Sequence, residues 1–172
     1  MGAAVIDTDA VYHSLVSGGS KCLLELVSAF GEGILNSDGS LNRPSLAAAV
    51  FQDREKHALL NSISHKHVLK KVREIIAELS EKGARAVLVD APMLFESGFD
   101  KECDLTLGVI APTEVRISRI TERDGISRER ALARISNQLS DREIEKRCDY
   151  VIYNGGEDIL PRVSELSKLF LN

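Results

Sequence analysis

Four consecutive apolar residues, Ala86-Val87-Leu88-Val89, lie between Gly83 and Pro92 and constrain the fold of this chain more than any other stretch. The run shows no polar alternation, so it suits a strand covered on both faces by helices, the setting of a parallel sheet in an α/β protein. Asp90 closes the run at its carboxyl end. Open α/β sheets bind ligands at that edge, and a carboxylate there can hold a water on Mg²⁺ or orient a phosphate acceptor. The competing role is simpler: Asp90 caps the turn before Pro92. A second apolar strand, Ala3 to Ile6, runs into Asp7-Thr8-Asp9. Asp7 and Asp9 share a face if the strand continues through them; otherwise one of them caps the helix expected to begin near Ala10.

Between these strands the pattern is helical. Leu23, Leu26, Val27 and Phe30 recur at helical spacing from Cys22 until Gly31. A polar stretch, Asn36 to Ser40, leads to Pro44, a normal first-turn residue for a helix carrying Leu46, Val50 and Phe51. From Arg54 to Lys82 apolar residues recur at three and four, interrupted by His65 and His67, whose rings must point to different sides of a helix. That geometry argues against a metal site, and His65 is expected as a surface or ligand-facing side chain.

Beyond the central strand, Ser97-Gly98-Phe99 reads as a turn and Leu105 to Ile110 as another buried strand. Strand, helix and strand linked in this way predict a right-handed parallel crossover. Thr113 is a candidate cap for a helix through Arg123 that places Arg116, Arg119 and Arg123 on one face. Ser127 starts a second helix bearing Arg130, Arg134 and Gln138, and Ser140-Asp141-Arg142-Glu143 is a capping box. Eight of the thirteen arginines fall between Arg116 and Arg147, a concentration that leaves two readings open. Either the stripe meets an anion, for which phosphate is the obvious choice, or it is a solvated hairpin whose arginines pair with Glu122, Glu129, Glu143 and Glu145. Tyr150 to Tyr153 forms a last strand ending at Asn154, and a C-terminal helix is expected from about Asp158 to Phe170. Asn154 thereby joins Asp7, Asp9 and Asp90 on one expected sheet edge.

At 172 residues and 44% hydrophobic content, one domain with a substantial core is the expectation. The net charge of −4 argues against general nucleic-acid binding. No apolar run reaches membrane-spanning length and no signal-like N-terminus is seen, so a cytoplasmic protein with no membrane partner is expected. Cys22, Cys103 and Cys148 are too scattered for a disulfide framework or a zinc knuckle.

Taken in order, Val5 to Asp9, Phe30-Gly31, Asp38-Gly39, Leu41-Asn42-Arg43, Val50-Phe51, Leu88 to Glu96, Arg123 to Ser127, Ala133-Arg134-Ile135 with Gln138, and Asp149 to Asn154 resemble dephospho-CoA kinase along nearly the whole chain. The resemblance implies an α/β fold of the P-loop nucleotide-kinase kind, a single kinase-like domain over residues 1–172. It would carry a helical acceptor-binding region at 21–82 and a lid at 113–147. It also implies ATP with Mg²⁺ as phosphoryl donor and the ribose 3′-hydroxyl of dephospho-CoA as acceptor, with no dedicated protein metal site. By position, Asp9 corresponds to the carboxylate near the acceptor hydroxyl and Arg123 to a catalytic lid arginine. Asp7, Arg43, His65, Asp90, Arg134 and Gln138 correspond to substrate-binding positions, and Arg119 and Asn154 to nucleotide-binding ones. Lys66 replaces the proline that usually follows the matched histidine.

The resemblance departs at one place. Family members carry a strand and a G-x-x-x-x-G-K-[ST] loop ahead of the segment equivalent to Ile6-Asp7, and Gly18-Gly19-Ser20-Lys21 lacks the spacing to replace it. A shortened chain is therefore expected, weakly active or inactive, whose sheet either has a gap or has re-paired its inner strands. The alternative is a non-catalytic CoA-type ligand-binding or regulatory protein of the same fold. Another nucleotide kinase of this fold is disfavoured by the match along Phe30 to Phe51.

Overall fold

The computed structural model describes residues 3–51 and 53–171, with Phe170 and Leu171 described by their backbone alone. The chain forms two compact units, Met1–Phe99 and Asp100–Asn172.

The first unit runs β1 (Ala3–Asp7), α1 (Thr8–Leu15), α2 (Lys21–Phe30), a 3-10 turn at Glu32–Ile34, α3 (Arg43–Val50), α4 (Arg54–Glu81), β2 (Ala86–Asp90) and a short α5 (Leu94–Ser97). β1 and β2 are parallel and paired residue for residue from Ala3↔Ala86 to Asp7↔Asp90. Val16, Cys22, Leu26, Ile34, Leu46, Val50 and Ile63 form the core of the helical region, and the 28-residue α4 packs on α1, α2 and α3. Local chemistry explains the boundaries. The Ser20 hydroxyl accepts from the Leu23 amide at the start of α2, and Gly31, with φ of 83°, ends that helix in a conformation that side chains disfavour. Asn42 and Asp53 cap α3 and α4 through side-chain oxygens.

The second unit contains β3 (Leu107–Ile110), α6 (Thr113–Asp124), α7 (Arg128–Ser136), α8 (Asp141–Arg147), β4 (Tyr150–Tyr153) and α9 (Leu160–Leu171). β3 and β4 are parallel. Gly125, at φ 63°, lets α6 stop and α7 turn back against it. Ser127 and Ser140 cap α7 and α8, as their sequence positions predict.

Several expectations are corrected. β1 stops at Asp7 and the helix begins at Thr8, because the Asp7 carboxylate captures the amides of Asp9 and Ala10, so Asp9 lies on a helix and not on a strand face. Burial of the β1–β2 ladder on both faces is not found. Ile6 is 4% exposed, whereas the register partners Val5 and Leu88 are 69% and 49% exposed, since α1 and α4 cover one face only. β3 begins at Leu107, two residues later than the apolar pattern suggests, because Thr106 gives its amide and hydroxyl to the Asp149 carboxylate at 2.8 and 2.7 Å. Thr113 does not cap α6; it is the first helical residue after Pro112. The turn at Ser97 to Phe99 carries more structure than expected, lying between α5 and a 3-10 helix at Phe99–Glu102. Among the described residues the strands pair as β1 with β2 and β3 with β4, each pair parallel.

Candidate functional site

In the first unit the site begins at the paired tips of β1 and β2. The in-register ladder makes Asp7 and Asp90 neighbours, so two carboxyl-bearing positions meet at one edge. Their roles differ. The Asp7 side chain accepts from the amides of Asp9 and Ala10 at 2.8 and 3.0 Å, which commits one of its oxygens to holding the start of α1. The Thr8 hydroxyl donates to the Asp90 carbonyl at 2.8 Å and ties that start to the tip of β2. Asp9 follows in the first turn of α1, exposed, and no other described residue engages its carboxylate. Backbone amides at a helix start favour a negative charge there, so Asp9 is a carboxylate that is fixed in place and available.

Two further elements approach α1. Asn42 caps α3, which sets Arg43 at the first helical position, and the Arg43 guanidinium meets His13 Nε2 at 3.1 Å. The long helix α4 carries His65, half-buried, whose pKa burial lowers from its ordinary value while Glu96 opposes that shift. His67 faces another way, contacting Glu25 through Nε2 at 2.7 Å beside Lys66, which reaches the same carboxylate at 2.9 and 3.0 Å. The two rings thus diverge as their spacing on a helix requires.

In the second unit the arginines are organised within and around the α6–α7 hairpin. Arg119 donates from both terminal nitrogens to Asn154, to its carbonyl and to its side-chain oxygen, each at 3.1 Å. Arg123 makes a two-pronged contact with Asp124 at 2.7 and 3.2 Å, and Arg134 reaches across from α7 to the same carboxylate. The Arg123 hydrogen bond, with help from Arg134, holds the Asp124 pKa below its ordinary value. Arg116 meets Gln138 and, at 3.5 Å, Asp141, while Arg128 pairs with Glu114 at 2.6 and 2.7 Å. Ion pairing expected from sequence therefore exists, but mostly with different carboxylates: of the glutamates named, Glu143 reaches Arg147 at 3.9 Å and Glu129 lies in electrostatic reach of Arg128.

This wiring leaves charge over. Among the described residues Arg119 rests on neutral oxygens, and Arg123 and Arg134 share the Asp124 carboxylate. Exposed pairs of this kind hold weakly, typically by about 0–1 kcal/mol. Hence Asp7, Asp9 and Asp90 come together in one unit, where Arg43 also meets α1, and Arg119, Arg123, Arg134 and Asn154 are organised in the other. Asp124 and His13 are contacts that sequence reasoning missed. The signal for His13 was available, since it lies four residues after Asp9 and so on the same face of α1.

A family model described as dephospho-CoA kinase matches residues 1–158. The chain belongs to the dephospho-CoA kinase family. It is 39% identical over 155 residues to the dephospho-CoA kinase of Corynebacterium efficiens, covering 90% of this chain and 78% of that one. To the dephospho-CoA kinase of Carboxydothermus hydrogenoformans it is 38% identical over 156 residues, covering 91% and 76%. Among solved structures, the crystal structure of TT1252 from Thermus thermophilus superposes with a TM-score of 0.82 at 34% identity, over 99% of this chain and 86% of that one. The dephospho-CoA kinase from Campylobacter jejuni gives 0.66 at 26% identity, over 97% and 86%. The α/β architecture with parallel pairing is that of a P-loop kinase, and the family is one of ATP-dependent phosphotransferases.

Proposed function

We propose that the first unit binds dephospho-CoA as phosphoryl acceptor and that the second supplies the arginines that neutralise the phosphates of ATP. In this reading Asp9 orients or deprotonates the ribose 3′-hydroxyl, with Asp7, Arg43, His65 and Asp90 on the acceptor side. Arg123 acts on the transferring phosphoryl group, Arg134 on the returning helix α7 and Gln138, which lies just past the end of that helix and not on it as expected from sequence, support it, and Arg119 with Asn154 holds the nucleotide. Phosphoryl transfer asks a protein mainly for positioning and for charge stabilisation, and the two residue sets match those two demands. The observation that carries the reading is the α1 start: one oxygen of Asp7 is committed as the cap, and Asp9 follows two residues on with its carboxylate unengaged among the described residues.

Mg²⁺ would be held chiefly by the nucleotide phosphates. Among the described residues no three His, Cys, Asp or Glu side chains converge into a cage, and this ion characteristically keeps waters and takes only one or two carboxylates. The adjacent Asp7 and Asp90 positions fit that modest demand.

The 172 residues contain no G-x-x-x-x-G-K-[ST] loop, so we further propose that by themselves they transfer phosphate weakly or not at all. Loss of such preorganised donors costs roughly 10²–10³ in rate for a single group. The same observation keeps a second reading in play, a CoA-type ligand-binding or regulatory protein. A coupled assay with ATP and dephospho-CoA, run beside calorimetry with dephospho-CoA alone, tests both. Negligible turnover with measurable acceptor binding is expected. Ordinary kinase turnover would refute the proposed inactivity, and absence of acceptor binding would refute the assignment of the first unit. Binding far tighter than a turning-over kinase tolerates would favour the regulatory reading.

A further inference from the structure

The contact between Arg43 and His13 joins two helices thirty residues apart in sequence. Its chemistry is constrained on both sides. A guanidinium has only donors and keeps its proton, so the imidazole must accept. His13 Nε2 therefore presents its lone pair, and the ring proton sits on Nδ1. His13 lies one helical turn after Asp9 on α1, so a single face of that helix carries both the available carboxylate and the acceptor for Arg43. Arg43 is exposed, no described carboxylate pairs with it, and besides His13 only the electrostatic influence of its charge on Tyr12 is found among the described residues.

We infer that His13 is a positioning residue for the acceptor site. It holds the Arg43 guanidinium on the α1 side, where its remaining donors stay directed to an anionic group of the acceptor, and so sets that anion at a fixed offset from Asp9. The anion is of the phosphate-ester or diphosphate class, to which a planar guanidinium binds through paired donors. The inference rests on the proposed acceptor role of the first unit. It adds the residue that sets the position of Arg43, and it makes the Arg43 contribution conditional on a neutral hydrogen-bond acceptor at position 13.

Calorimetric titration of the 172-residue chain with dephospho-CoA tests this by a double-mutant cycle. H13A is expected to weaken binding roughly 3–10-fold and R43A by at least as much, while H13A in the R43A background costs nothing further. H13Q, whose amide oxygen can accept in place of Nε2, should bind within about 2-fold of wild type. Equal losses from H13A in both backgrounds, no loss from H13A alone, or no rescue by H13Q would overturn the inference.

A second arm reads the contact without ligand. The ¹⁵N spectrum of the His13 ring should show the Nδ1–H tautomer in wild type and lose that preference in R43A. If dephospho-CoA fails to bind wild type, the assignment of the unit falls and the spectrum alone decides the positioning: an Nε2–H ring in wild type refutes it.

Discussion

Adding one methyl group at Gly108 should loosen the seat of α8 against β3. Gly108 is buried in β3, and a Cβ built there lies well inside van der Waals contact of Ile144 Cγ2 and 3.1 Å from Cys148 Sγ. Ile144 and Cys148 belong to α8 and its C-terminal cap, and the clashing Cγ2 branches directly from the Ile144 Cβ, so relief requires α8 to shift or Ile144 to leave its rotamer. Overpacking of this sort costs about 1–3 kcal/mol. Replacing glycine in a strand returns about 0.5–1 kcal/mol of chain entropy, leaving a net loss of roughly 1–2 kcal/mol. For a chain of this length that is a fall in melting temperature of about 2–8 °C. The diagnostic measurement is a thermal-melt cycle of G108A, I144A and the double variant. Truncating Ile144 removes the clashing atom, so G108A should become neutral or slightly stabilising in that background. If G108A costs the same with Ile144 present or absent, or nothing in wild type, the steric reasoning is wrong.

Other expectations follow from single contacts. D7A should lower stability by about 0.5–2 kcal/mol through loss of the α1 cap, whereas D7N, which keeps an accepting oxygen, should melt within about 1 °C of wild type; differential scanning calorimetry separates them. The Glu25 pKa is held below its ordinary value of 4.5, first by the Lys66 hydrogen bond and then by that of His67. A depressed carboxylate stabilises fully above its unfolded value and loses that contribution as pH falls through the folded one. The difference in melting temperature between wild type and E25Q should therefore shrink below about pH 4.5 and vanish in stronger acid; a constant difference would contradict the linkage. R134A, which removes a solvent-exposed partner of Asp124, should leave the melting temperature within about 1–2 °C yet weaken binding of inorganic tripolyphosphate several-fold in low salt.

Much of this architecture was written in local chemistry. α4 was located to within a residue because its apolar residues keep helical spacing across 28 positions. Ser127 and Ser140 likewise announced α7 and α8. What escaped depends on the third dimension. The start of α1 hinged on which of two nearby aspartates would turn back onto the backbone amides, a choice made by the end of the β1–β2 ladder and not by composition. Exposure of Val5 and Leu88 was hidden because an apolar run states what a strand can bury, not how many layers surround it. The arginine partners in the α6–α7 hairpin were not legible because Gly125 sets how α7 returns across α6, and that turn brings Arg134 to Asp124 and Arg128 to Glu114. The resemblance pointed to Asp9, Arg43 and His65, but it did not mark His13, whose partner arrives from another helix.

Titration of the isotope-labelled chain with dephospho-CoA, followed by backbone and side-chain NMR, measures where the acceptor lands. The account predicts shifts concentrated on Asp9, His13, Arg43 and His65 and on the tips of β1 and β2. Saturable shifts confined to other surfaces, or none at millimolar ligand, would contradict it.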